Sequence, residues 1–110
     1  MDEMWQRIYQ AIDNKKIITI EFGFEHEIMN VCPIAVGLSG GNDMMLVVKH
    51  DGKNNTINEK MVFTILNSHF IILLGEIDRH FVFDASTDFL KIYFENVHYP
   101  IQPRPMEDWE

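Results

Sequence analysis

Four apolar residues near the start of the chain, Trp5, Ile8, Tyr9 and Ile12, recur at helical spacing, while Glu3, Arg7, Gln10 and Asp13 fall elsewhere. The pattern predicts an amphipathic helix over 1–15, with acids at its positive end, Lys15 and Lys16 at the other, and Asn14 as a left-handed terminator. A stripe only two turns long needs something to dock on. Alternation takes over at once: Ile18, Ile20 and Phe22 alternate with Ile17, Thr19 and Glu21, as in a strand with one buried face. Residues 23–26 form the turn. The next apolar run, 27–38, is long for one strand and contains Pro33, which cannot donate a ladder hydrogen bond. A bend at Pro33 is therefore expected. Ser39-Gly40-Gly41-Asn42 supplies positive-φ residues for a hairpin, and 44–49 returns as a strand.

Past the polar loop 50–55 the pattern loosens. Thr56 and Glu59 match a helix-capping box, yet 61–66 is β-branched and aromatic, which favours a strand from about Lys60. The run 70–74 is apolar on both faces, so it is expected to be central or covered by a helix. Asp84 or Ser86 can cap a helix over 84–97, whose face would hold Phe89, Leu90, Tyr93, Phe94 and Val97. Alternation of Leu90, Ile92 and Phe94 leaves a strand open there. Prolines at 100, 103 and 105 make 98–110 an extended tail, ending in an acidic segment with Trp109.

These elements predict one α+β domain over 1–110. Its N-terminal helix packs on a small, strongly bent antiparallel sheet or SH3-like barrel spanning 16–83, followed by the C-terminal helix and tail.

Charge and composition narrow the function. The net charge is −8, with nine Lys and Arg scattered along the chain, so direct nucleic-acid binding is disfavoured and basic partners are favoured. Apolar runs such as 70–74 fall far short of the roughly 18 residues of a membrane span. An acidic start without a signal-peptide pattern, and a lone Cys32, lead to a cytoplasmic expectation.

The five histidines lack close ligand spacing, Cys32 sits inside a strand run, and no Gly-x-Ser-x-Gly elbow occurs. The carboxylate pairs Glu25/Glu27 and Glu76/Asp78 lie beside turns, as solvated rims do. No catalytic residue, metal site or cofactor is assigned. Two binding features remain. Met29, Met44, Met45 and Met61 are candidates to line an apolar ligand pocket with adaptable side chains. Glu21, Glu25, Glu27, Asp43 and Asp51 would form an acidic surface for a cationic protein if the hairpin turns gathered at one end.

Four stretches together resemble a WYL-type domain: Ala11-Ile-Asp-Asn-Lys-Lys-Ile17, Val31-Cys-Pro33 with Gly37, Leu46 in the place of the naming triplet's leucine, and 70–81 as closing strand. The resemblance implies a small Sm- or SH3-like β-barrel with a leading helix, in a family associated with sensing nucleotides or nucleic-acid fragments. The departures fall on its ligand-binding positions. The triplet's Trp and Tyr fall on Met44 and Met45, the arginine before Val-x-Pro on Met29, and a further arginine near Asn67 or Ser68. Without those arginines, charge-assisted anion recognition is lost. The expected function is a non-enzymatic, WYL-like ligand-sensing or regulatory module with a small ligand or protein partner, a homodimer being compatible. The alternative is an acidic immunity-type inhibitor of a basic toxin or nuclease.

Overall fold

A computed structural model describes residues 3–102. Expectations for Met1, Asp2 and the tail from 103 onward lie outside the described residues. Helix α1 spans Glu3–Asn14 and buries Ile8, Ala11 and Ile12, with Trp5 and Tyr9 half-buried beside them. Its left-handed terminator is Lys15 (φ 54°), one residue later than expected. Three antiparallel strands follow: β1 (Lys16–Phe22), β2 (Glu27–Ser39) and β3 (Asn42–Lys49). The β2–β3 hairpin turns on Gly40 (φ 59°) and Gly41 (φ 80°), a conformation that costs glycine nothing sterically.

Strand β2 organises the sheet. Its first half pairs with β1, from Phe22 opposite Glu27 to Ile18 opposite Val31, and its second half pairs with β3 from Val31 to Ser39. At Pro33 the β1 side is abandoned, and from Ala35 onward that edge is taken by β8 (Asn96–Pro100). The register with β3 also slips between Pro33 and Ala35. Bend, bulge and change of partner thus coincide at the one residue without an N–H. Residues 31–37 are buried on both faces.

The sheet order is β5-β3-β2-β1-β6, with β5 (Thr64–Asn67) and β6 (Ile71–His80) at the ends and β8 off the path on β2. A single 3₁₀ turn, Ser68–Phe70, joins the two end strands, with the Asn67 side chain accepting from His69 N–H at 3.0 Å. No ladder links β5 to β6, so this α+β sheet is bent and open rather than a closed SH3-like barrel.

Four further expectations are corrected. Strand does not begin near Lys60: Asn58 accepts the N–H groups of Lys60 and Met61, closing a turn, and β5 starts at Thr64. The preceding β4 (Thr56–Ile57) pairs in parallel with β7 (Val82–Phe83).

The run 70–74 is not central, and helix α1 covers only one of its faces. Strand β6 is an edge strand, with Leu73 half-buried in a hollow beside Met4 and Arg7 of α1 while Ile72 and Leu74 remain exposed. The helix expected over 84–97 is only a 3₁₀ turn, Thr87–Phe89, and one α turn, α2 (Leu90–Tyr93). A longer helix would have carried residues 96–100 away from the open edge of β2. There, Glu95 N–H donates to Leu38 O and Ile101 N–H to Ile34 O, both at 2.8 Å, and unpaired buried backbone is costly. Residues 98–100, expected in a tail, are therefore strand.

One contiguous core joins α1, the meander and the second half through Ile57, Phe81, Phe83, Leu90, Phe94 and Ile101. Among the described residues no helix is long and apolar enough to cross a membrane.

Candidate ligand cleft

Where α1, the β2–β3 hairpin, the 3₁₀ turn and β8 meet, a cleft of about 210 Å³ is lined by Trp5, Tyr9, Val36, Asp43, Ser68, His69 and His98. Each wall has a local cause. Trp5 and Tyr9 lie one helical turn apart, with ring centroids at 6.2 Å, on the flank of the stripe that buries Ile8 and Ile12. Tyr99 of β8 stacks on Tyr9 at 4.4 Å and 10°, and its hydroxyl donates to Asp13 Oδ2 at 2.5 Å, so helix and β8 are tied together behind the aromatic wall. That hydrogen bond, helped by partial burial, raises the pKa of the Tyr99 phenol.

The opposite wall hangs on the ladder. Asp43 sits at the start of β3 opposite Leu38, and Met44 opposite Asn67 carries the chain into the turn holding Ser68 and His69. The hairpin tip is fixed by Gly40 N–H donating to Glu95 Oε1 at 2.8 Å. The Ser68 hydroxyl oxygen is buried and has no hydrogen-bond partner among the described residues. Such a group is costly to leave unpaired, and one χ1 rotation redirects it.

The cleft thus offers two aromatic rings, an orphaned hydroxyl, two imidazoles and one carboxylate, with no lysine or arginine in its lining. Such groups can stack on and hydrogen-bond to a planar polar molecule. The lining gives a phosphate no lysine or arginine to meet and sets Asp43 against it.

The sequence-based candidates are distributed differently. Met45 is fully buried, and Met29, Met44 and Met61 are half-buried against the core; none of the four lines this cleft. Glu21, Glu25 and Glu27 do gather around the β1–β2 turn. However, Glu21 Oε2 lies 2.5 Å from His26 Nδ1, and Glu27 pairs with Lys49 at 3.7 Å. Asp51, in the loop after β3, accepts backbone N–H bonds from Asn54 and Lys53 that hold its carboxyl below the usual range. Asp43 lies by the other hairpin, at the far end of β2, and lines the cleft instead.

Cys32 is buried, and desolvation, with the nearby Asp51 charge adding to it, pushes its thiol up to about 12. It packs as an apolar residue. Among the described residues no three His, Cys, Asp or Glu side chains converge as metal ligands.

No family model, no curated protein and no solved structure matches this chain. The resemblance to WYL domains accordingly rests on the residues quoted for it and on the order of elements.

Proposed function

We propose that the protein is a non-enzymatic ligand-sensing module, WYL-like in its order of elements, which binds a small planar heteroaromatic molecule in the Trp5–His98 cleft. The observation that carries this reading is the mixed lining: a stacking wall of Trp5 and Tyr9 facing Ser68, His69, His98 and Asp43. Concave sites with aromatic walls and a few convergent polar groups are where small ligands bind, and the volume limits the occupant to about the size of one ring system. The WYL resemblance adds support, since Ser68 is one of the positions where that family would place an anion-binding arginine. Serine there, with Asp43 opposite, shifts the preference from nucleotides to neutral or cationic bases. A cytoplasmic setting is compatible with the lone, buried Cys32.

The alternative, an acidic inhibitor of a basic protein, has less support, because two of its carboxylates are paired within the chain and a third lies at the far end of β2.

NMR titration with neutral nucleobases, and with a nucleoside monophosphate as anionic control, tests the proposal. Amides of Trp5, Ser68, His69 and His98 should shift with the bases and barely with the monophosphate. Ser68→Ala or His98→Ala should weaken binding by about threefold to tenfold, the worth of one hydrogen bond. A titration in which those amides stay put while the fold is intact overturns it.

A further inference from the structure

The aromatic wall of the cleft can stack on any planar ring, so discrimination among ligands falls to the polar wall. There, Ser68 brings a hydroxyl and His69 and His98 bring imidazoles, groups that can each donate or accept. They adapt to whatever edge a ligand presents. Asp43 does not, because an ionised carboxylate only accepts. On that wall it alone dictates which hydrogen-bonding pattern a bound molecule must show.

The Asp43 carboxylate is available, and its backbone is held. No ion pair or hydrogen bond among the described residues takes it up, whereas Glu21, Glu27 and Glu76 each have a basic partner. Asp43 lies opposite Leu38 at the closing end of the β2–β3 hairpin. Leu38 O accepts from Glu95 N–H at 2.8 Å, and the Glu95 carboxylate accepts from Gly40 N–H at 2.8 Å. Glu95 thus grips the hairpin at two points and commits its own carboxylate to doing so. An acceptor fixed before the ligand arrives loses little freedom on binding it.

We propose that Asp43 is the specificity-determining residue of the cleft, and that it selects heteroaromatic rings carrying a ring N–H beside an exocyclic amino group, the edge of a cyclic guanidine. The inference rests on the ligand-binding reading above. Two adjacent donors meet the two carboxylate oxygens as a parallel pair, the geometry that makes guanidinium–carboxylate contacts strong. A bare ring nitrogen in place of the N–H sets a lone pair against the anion instead. Where the ring also carries a carbonyl, the Ser68 hydroxyl, whose oxygen has no partner among the described residues, is a donor for it. Protonated members of the class gain further from the faces of Trp5 and Tyr9, which attract cations.

Three neutral nucleosides test the assignment, and the ribose they share cancels from the comparison. Guanosine presents a ring N–H beside an amino group, inosine lacks the amino group, and adenosine has a bare nitrogen in place of the N–H. In NMR titrations followed at the amides of Trp5, Asp43, Ser68 and His98, guanosine should bind about threefold to tenfold more tightly than inosine, the worth of one hydrogen bond. Adenosine should bind most weakly. Asp43→Asn, at an exposed position, puts a donor beside an acceptor; it should abolish the lead of guanosine and tighten adenosine.

Equal affinity for the three, a preference for adenosine, or an Asp43→Asn variant that keeps the wild-type order would each overturn the role of Asp43 and leave the ligand reading standing. Cleft amides that stay put with all three nucleosides, in a protein whose spectrum is otherwise native, would overturn both.

Discussion

The β1–β3 meander and the chain from 56 to 100 share one core but are built by different means. The meander is continuous: three strands of seven, thirteen and eight residues joined by two tight turns, with Ile18, Ile20 and Leu46 fully buried. Apart from the ten-residue β6, which pairs along β1, the later chain is assembled from pieces too short to stand alone. It contains a two-residue parallel pair, a four-residue strand, two 3₁₀ turns and one turn of α-helix, held by aromatic contacts and by edges borrowed from β2 and β3. Phe63 lies 5.0 Å from Phe89 and 5.9 Å from Tyr93, and Phe83 lies 6.1 Å from Phe89. Hydrogen bonding between neighbours in sequence specifies the first region; packing between residues distant in sequence specifies the second. The cleft lies on the seam between them.

The largest effects should expose that difference. Ile18→Ala removes a fully buried side chain where β1 is paired on both sides, and should cost about 2–5 kcal/mol with global loss of structure. Phe83→Ala, 1% exposed, should cost about 3–5 kcal/mol. Hydrogen exchange should then show lost amide protection over 82–100 before any loss across β1–β3. Equal loss of protection in both regions would mean that the meander does not outlast its cover.

Gly37 tests the seam itself. A Cβ there would meet Asn96 O at 2.5 Å and Phe94 Cδ1 at 2.9 Å, so the approach of Phe94 and Asn96 to β2 at this position depends on the missing side chain. Gly37→Ala should cost about 1–3 kcal/mol by overpacking, and β8 amides should lose protection first. Retention of wild-type stability would show that β8 can shift at little cost.

What the sequence made legible follows the same division. Helical spacing up to Ile12, alternation in 17–22, the proline bend and the Gly40-Gly41 turn are signals written within a few residues of where they act. They located α1, β1, β2 and β3 to within two residues at each end. The pairing of Ile57 with Phe83, or of Val36 with Tyr99, depends on which edge is left open after the meander forms, and no local pattern reports that. The 70–74 run misled for a related reason: its apolar outer face reads as burial when one of its faces is solvent-exposed.

Of the residues singled out for binding, only Asp43 lines the cleft. Trp5 and Tyr9 carried a core signal, Ser68 and His69 a strand-break signal and His98 a tail signal, and topology alone brings them together.

The smallest effect concerns the tie between α1 and β8, and it separates the cleft's scaffold from its lining. Tyr99 donates to Asp13, a bond that exists only while the phenol is protonated, and its pKa is raised in the folded state. A group whose folded pKa exceeds its unfolded value of about 10 contributes stability that is complete below that pH. The contribution is lost as pH climbs through the folded value. Tyr99→Phe keeps the ring that stacks on Tyr9 but removes the donor, so it should destabilise by under about 1 kcal/mol at neutral pH. It should also flatten the alkaline limb of the stability–pH curve above about pH 10. Urea denaturation of both proteins from pH 7 to 11 measures this. Parallel curves would mean that the Asp13 bond does not hold β8 to the helix, and that the stack of Tyr9 on Tyr99 alone sets the aromatic wall of the cleft.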